Sequence, residues 1–286
     1  MSMKWLSAYS VSFLLFVTLS STAVHAEEGF ILLASTIGPI DAGIVATLED
    51  AFEKDTGIRV RHVGSGTGAA LKISEKGNFD LVMVHARSLE EKFVAAGYGT
   101  ERIPLMYNDF VIVGPPSDPA GVRGMKSGLA AFKKIAEKAA PFVSRGDKSG
   151  TNIAELAFWA KTGVKPTGAW YTVYEKGNEG NVATLRFTDR SGAYTFIDRA
   201  TYLSIKKEIK LQILVEGDEA LLNRISLIPV NSKKFPAVNS KDTDTFVRWL
   251  TAPAKGQKII TEFGVERFGT PLFFPDSKEW HVENAK

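Results

Sequence analysis

Apolar and polar positions alternate along this chain with two periods, one suited to strands and one to helices. "GFILLAST" (29–36) is a continuous apolar run closed by two hydroxyls, which predicts a buried strand. In "IDAGIVATLEDAFEKDTG" (40–57), Ile44, Leu48 and Phe52 recur at helical spacing and Gly57 stops the pattern. "IRVRHV" (58–63) predicts a strand, "GSGTG" (64–68) a tight glycine turn, and "AALKISEKG" (69–77) a helix ending in glycine. "DLVMVHA" (80–86) predicts a short strand. "SLEEKFVAAG" (88–97) predicts a helix, with Ser88 and Glu91 in capping-box spacing. Strand and helix in alternation predict a mostly parallel sheet covered by helices on both faces.

The rhythm changes at "RIPLMYNDFVIVGPPSDPAGV" (102–122), where a long strand runs into a loop dense in Pro115, Pro116, Pro119 and Gly121. Beyond it the pattern predicts helices over 129–138, 152–162, 168–176, 181–188 and 199–207, with a strand at 141–144. "LQILVEG" (211–217) and "RISLIPVN" (224–231) are strands leading back, and two C-terminal helices are separated at Pro253. The expectation is a two-lobed α/β fold, each lobe a mostly parallel sheet flanked by helices. Lobe 1 is built from 27–112 and 226–286, and lobe 2, from 113–225, is inserted with two hinge crossings. Ligands of such sheets bind beyond the carboxyl ends of the strands, near helix N-termini, here in the cleft between lobes.

Residues 1–26 stand apart from this rhythm. Lys4 supplies a positive start, residues 5–24 are apolar with small residues, and "VHA" ends at Ala26 ahead of "EEG". This is the pattern of a secretory signal peptide cleaved near Ala26. A membrane anchor fits less well, because Ser7, Ser10, Ser12, Ser20 and Ser21 interrupt the stretch and no basic cluster follows it. Cleavage would leave roughly 260 residues, enough for one large or two medium domains. The net charge of +3 over 286 residues, without clustering, gives no footprint for nucleic acid. Cysteine is absent, which removes disulfides, thiolate metal sites, a cysteine nucleophile and a lipid-bearing cysteine. The expected compartment is the periplasm.

Three turns share one design. Ser35 and Thr36 follow the first strand and precede a helix, as do Ser65, Gly66, Thr67 and Gly68 after the second. In the second lobe, "FVSRGDKSGT" (142–151) places Ser144, Arg145, Ser149, Gly150 and Thr151 between a strand and a helix. Hydroxyls and unpaired amides at a positive helix end bind anions, glycines let the backbone approach, and Arg145 adds a permanently charged fork. Each turn alone is equally an ordinary helix cap. Asn152 and Glu155 lie in capping-box spacing, which would free the upstream hydroxyls. Asp147 opposes an anion unless it pairs with Arg145 or accepts an amide within the turn. The RGD triplet (145–147) is too short to carry an adhesion reading.

"GTGAAL" (66–71), "YNDFVIVGP" (107–115), "FVSRGDKSGT" (142–151), "GAYTFIDRATYL" (192–203), "LVEGD" (214–218) and the "FVRWLTAPAKGQKII" tail resemble the TupA family of tungstate-binding periplasmic proteins across nearly the whole mature chain. The resemblance implies a type II periplasmic-binding-protein fold closing on an oxyanion. It also implies delivery to an ABC permease driven by a cytoplasmic ATPase. It carries ligand contacts onto Ser35, Thr36, Thr67, Ser144, Arg145 and Thr184. Before Thr184 the family has a glycine- and methionine-rich run, whereas this chain has Asn181 and Val182. Tungstate is a dianion that accepts hydrogen bonds and donates none, so a site of donors alone prefers it to protonated phosphate. Molybdate has nearly the same size and stays open as the ligand, as does another small anion. A receptor-linked sensor is the alternative partner role.

Enzyme readings fit poorly. "GSGTGA" is a weak dinucleotide match preceded by a long helix, and Ser65 lacks the preceding glycine of a nucleophile elbow. His62, His85 and His281 form no nucleophile–base or metal-ligand spacing, so no cofactor and no metal are expected. Trp159, Trp170 and Trp249 lie on helical patterns as packing residues, and the expected state is a monomer.

Overall fold

The structure is a computed structural model that describes residues 30–285. The signal peptide expected over residues 1–26 lies outside the described residues. The first half runs β1 (Phe30–Thr36), α1 (Ile37–Ala42), α2 (Ile44–Thr56), β2 (Arg59–Ser65), α3 (Thr67–Ser74), β3 (Leu81–Val84), α4 (Arg87–Ala95) and β4 (Ile103–Gly114). Then follow α5 (Gly128–Glu137), β5 (Phe142–Ser144), α6 (Gly150–Thr162), β6 (Tyr171–Val173), α7 (Asn181–Ser191), β7 (Tyr194–Asp198), α8 (Arg199–Ile205), β8 (Gln212–Val215) and β9 (Leu222–Pro229). The chain closes with α9 (Ser240–Thr251), α10 (Lys258–Glu262), α11 (Val265–Phe268), β10 (Phe274–Pro275) and α12 (Lys278–Asn284).

Ten strands form one sheet in the order β2-β1-β3-β9-β4-β7-β5-β6, with β8 and β10 also pairing with β4. β1 runs parallel to β2 and β3 on one side, and β5 runs parallel to β6 and β7 on the other. The two long strands β4 and β9 join these halves. β4 pairs antiparallel with β9 through Asp109 and with β7 from Phe110 onward, so its partner changes between those two residues. Arg199, at the start of α8, clamps this joint: its Nε donates to Asp109 Oδ1 at 2.8 Å and its Nη1 lies 2.7 Å from Glu216 Oε2.

Burial follows the apolar periods. Phe52 of α2 packs against Phe246 and Trp249 of α9, with ring centroids 4.6 and 5.6 Å apart. The other half has its own core, where Trp159 of α6 lies 4.4 Å from Phe132 and 5.2 Å from Phe142. α8 straddles the joint, since Ala200 and Leu203 belong to the cluster of Phe52 while Ile205 packs with Val111 and Ile197.

Four local expectations are corrected. The helix expected over 40–57 is two helices, because Gly43 adopts φ 89° and its N–H bonds back to Ile40. Ser88 does not cap α4, which begins at Arg87 after Ala86; Glu91 instead accepts from Arg87 Nε at 2.7 Å. The segment 168–176 is not helical but carries β6, whose Tyr171 pairs with Phe142. Asn152 does not cap α6: Ser149 is the cap, accepting the Asn152 N–H at 3.4 Å.

Candidate functional site

The first set of hydroxyls sits at the carboxyl ends of β1 and β2. Register places Ser35 opposite Gly64 and Met83, and Thr36 opposite Ser65. Ser35 and Thr36 are buried, and Thr67 opens α3 directly after Gly66. Their hydroxyls are poorly committed. Thr36 Oγ1 and Thr67 Oγ1 are buried with no hydrogen-bond partner among the described residues. Ser35 Oγ reaches only Thr36 O at 3.5 Å, and Ser65 Oγ only Gly66 O at 3.4 Å. A buried hydroxyl left unpaired costs about 1–3 kcal/mol, which makes two of them side by side a feature needing a reason.

The second set is organised by α6 and the turn before it. Asp147 does both things expected of it: Oδ1 accepts the Ser149 N–H at 3.0 Å, and Oδ2 lies 2.8 Å from Arg145 Nη2. Arg145 also donates from Nε to Gly177 O at 3.0 Å and from Nη1 to Asn181 Oδ1 at 2.5 Å. A guanidinium has five N–H groups, so two remain for another acceptor. Gly177 is obligatory in this arrangement, because a Cβ there would fall 1.7 Å from Arg145 O. Asn181 was visible in the sequence only as a departure from the family. Here its Nδ2 donates to Thr151 Oγ1 at 3.2 Å and to Asp198 Oδ2 at 2.8 Å. Thr151 therefore accepts from Asn181 and keeps its own proton to donate.

Two of the candidate hydroxyls are committed elsewhere. Ser144 Oγ donates to Glu155 Oε2 and accepts from Asn152 Nδ2 at 3.1 Å. Thr184 Oγ1 donates to Gly180 O at 3.0 Å inside α7. Glu155 is a hub that sequence spacing presented as a cap partner: Oε1 also accepts from Trp159 Nε1 at 2.7 Å and Tyr171 Oη at 2.8 Å. Burial raises its pKa above the ordinary 4.5, with Ser144, Tyr171, Trp159 and Asn152 acting against that shift. Next to Asn181, Val182 packs at the cluster of Val111 and Ile197.

The two sets meet at His85, just beyond β3, which pairs with β1. A Cβ on Gly150 would lie 3.0 Å from His85 Cε1 and 3.3 Å from Nε2, so the ring rests on the first residue of α6. The start of α6 thus stands beside the strand ends that carry Ser35 and Thr36. Helix N-termini of α3, α6 and α7 bring backbone N–H groups with partial positive charge to the same region. Among the described residues no group of three His, Asp or Glu could hold a metal ion.

The chain has solved counterparts. Residues 21–254 match the model of the PBP superfamily domain. A tungstate-binding protein TupA of Peptoclostridium acidaminophilum is 42% identical over 252 residues, covering 87% of each chain. The chain belongs to the TupA family. The structure of TupA from Desulfovibrio alaskensis G20 superposes with a TM-score of 0.80 at 41% identity, over 87% of this chain and 99% of that one. The tungstate ABC transporter structure from Geobacter sulfurreducens gives 0.70 at 41% identity, over 82% and 99%. The fold is thus the two-lobed type II solute-binding fold that the TupA resemblance implies, and the chain is a solute-binding protein.

Proposed function

We propose that the chain binds tungstate in the cleft between the β1/β2 strand ends and the N-terminus of α6, and hands it to an ABC permease driven by a cytoplasmic ATPase. The observation that carries this reading is the pair of buried hydroxyls of Thr36 and Thr67, unpartnered among the described residues; we place them across the cleft from a second set of donors centred on Arg145. An acceptor-only dianion satisfies both sets at once, and closure removes it from water. Ser35, Thr36, Ser65 and Thr67 form the first jaw. Arg145 and Thr151 form the second, with the amides that follow Ser149. Ser144 and Thr184 serve through the backbone or by supporting their neighbours, since their hydroxyl protons are bound internally. Molybdate, with the same charge and nearly the same size, is the competing ligand.

The lobe division we propose is 27–112 with 226–286, and 113–225, with β4 and β9 as the two crossings. Residues 1–26 direct export to the periplasm, where the protein acts as a monomer without catalysis. Titration of ligand-stripped protein tests the reading. Tight one-to-one binding of tungstate, with sulfate and phosphate silent, is the expected result. Arg145→Ala should weaken it by about 2–5 kcal/mol, as for a buried charge losing its partner. Silence of tungstate and molybdate alike in wild-type protein would sink it.

A further inference from the structure

His85 is the one described histidine wedged between the two halves of the molecule. His62 is paired with Glu49 at 2.8 Å and His281 with Asp276 at 3.0 Å, both pairs among residues of the proposed lobe 1. His85 stands where the paired strands β3 and β9 meet the start of α6. It follows β3, whose Val84 is opposite Ser226 of β9. Its side chain lies beside that of Asn223, also on β9. It rests on Gly150, the first residue of α6. Asn223 in turn donates to Asn108 Oδ1 at 2.7 Å, and these two asparagines are opposite one another in the β4–β9 pairing. Asn108 is the residue before Asp109, the last of β4 to pair with β9.

We propose that His85 is a positioning residue of the anion site, holding the N-terminus of α6 against the first jaw and tying it to the β4–β9 crossing. This rests on the oxyanion reading above. Motion of one lobe about β4 and β9 would carry α6 away from β3, whereas Asn223 and β3 share β9. The contact of the ring with Gly150 is therefore made in the closed arrangement and lost on opening. A contact made in one state only shifts the equilibrium toward that state. It also slows release more than it affects capture. A side chain at Gly150 would press on the ring. Its φ is not in the left-handed region, so the backbone would accept alanine, and the obstacle to a Cβ is the ring. Burial lowers the imidazole pKa, so the ring is neutral at the pH of the test and brings no charge to the cleft.

The experiment measures tungstate binding and release at pH 8 for wild type, His85→Ala, Gly150→Ala and the double variant. His85→Ala should weaken affinity about tenfold, mostly through faster release, and His85→Gln should recover part of that loss by refilling the space against Gly150. Gly150→Ala should weaken affinity similarly while the ring is present. In the double variant the Cβ enters the space the ring vacates, so its affinity should match His85→Ala alone within about threefold instead of showing the product of both losses. Wild-type release rates in His85→Ala, or independent losses in the double variant, would overturn the proposal. If His85→Ala fails to fold, Gly150→Ala decides alone, with unchanged affinity as the contrary result. Should wild type bind neither tungstate nor molybdate, the oxyanion reading fails by itself. The positioning role is then decided by amide hydrogen exchange at Asn152 and Ile153 in ligand-free protein: faster exchange in Gly150→Ala supports it, and equal exchange refutes it.

Discussion

Asn181 shows how a single side chain can replace a missing feature. At a position where the family resemblance implies a glycine-rich run, this chain has one amide with three partners: Arg145, Thr151 and Asp198. The carbonyl end orients a charged donor, and the amino end fixes Thr151 as an acceptor so that its proton points outward. Hydrogen bonds to charged groups are worth about 1.5–3 kcal/mol. Asn181→Ala removes one such bond to Arg145 and one to Asp198. The expected result is tungstate affinity lowered by about 1–3 kcal/mol in calorimetric titration, with secondary structure intact by circular dichroism. An unchanged affinity would mean that Asp147 and Gly177 alone hold the guanidinium. Arg145 itself was evident from the sequence because its type and position before a helix announce it. Asn181 was not, since its three partners are 17 to 36 residues away and only the folded chain brings them together.

At the scale of elements, most strands and helices were legible because their apolar periods agree with their burial. β1 and β3 are mostly apolar runs, β4 is apolar on either side of Asn108 and Asp109, and α2 and α9 present Phe52, Phe246 and Trp249 to one core. The segment 168–176 was misread because Trp170 and Tyr171 at short spacing suit either period, and the deciding factor is the open edge of β5. The cap of α6 was misplaced for a different reason. Asn152 and Glu155 have the spacing of a capping box, but Glu155 is turned inward and is 2% exposed. There it ties β5, α6 and β6 through Ser144, Trp159 and Tyr171. Its carboxyl pKa is raised by burial, so the folded state holds its proton to higher pH than the unfolded chain does. The stability this group contributes is full below its ordinary value of 4.5 and is lost as pH rises through the folded value. Glu155→Gln keeps the shape and removes the titration. The variant should show a flatter decline of melting temperature as pH is raised above about 4.5 than wild type, measured by scanning calorimetry. Parallel declines would place the proton linkage elsewhere, with buried Glu49, also raised, as the next group to test.

The whole molecule joins two hydrophobic cores through two long strands and a clamp at Arg199, while the Thr36 and Thr67 hydroxyls remain without partners among the described residues. Such an arrangement leaves its stability partly unrealised until an acceptor arrives. Ligand binding to the folded state alone raises stability by about 2.7 kcal/mol at a hundredfold excess over Kd. For a chain of this size each kcal/mol moves the melting temperature by roughly 2–4 °C. Tungstate at that excess should therefore raise the melting temperature by about 5–11 °C, and sulfate at equal ionic strength should leave it unchanged. The comparison matters because a general salt effect would act on the many exposed ion pairs and appear with both anions. A shift with tungstate alone, strongly reduced in Arg145→Ala, would assign the gain to the cleft. An equal shift with sulfate would mean that surface charge, and not the paired jaws, responds to the anion.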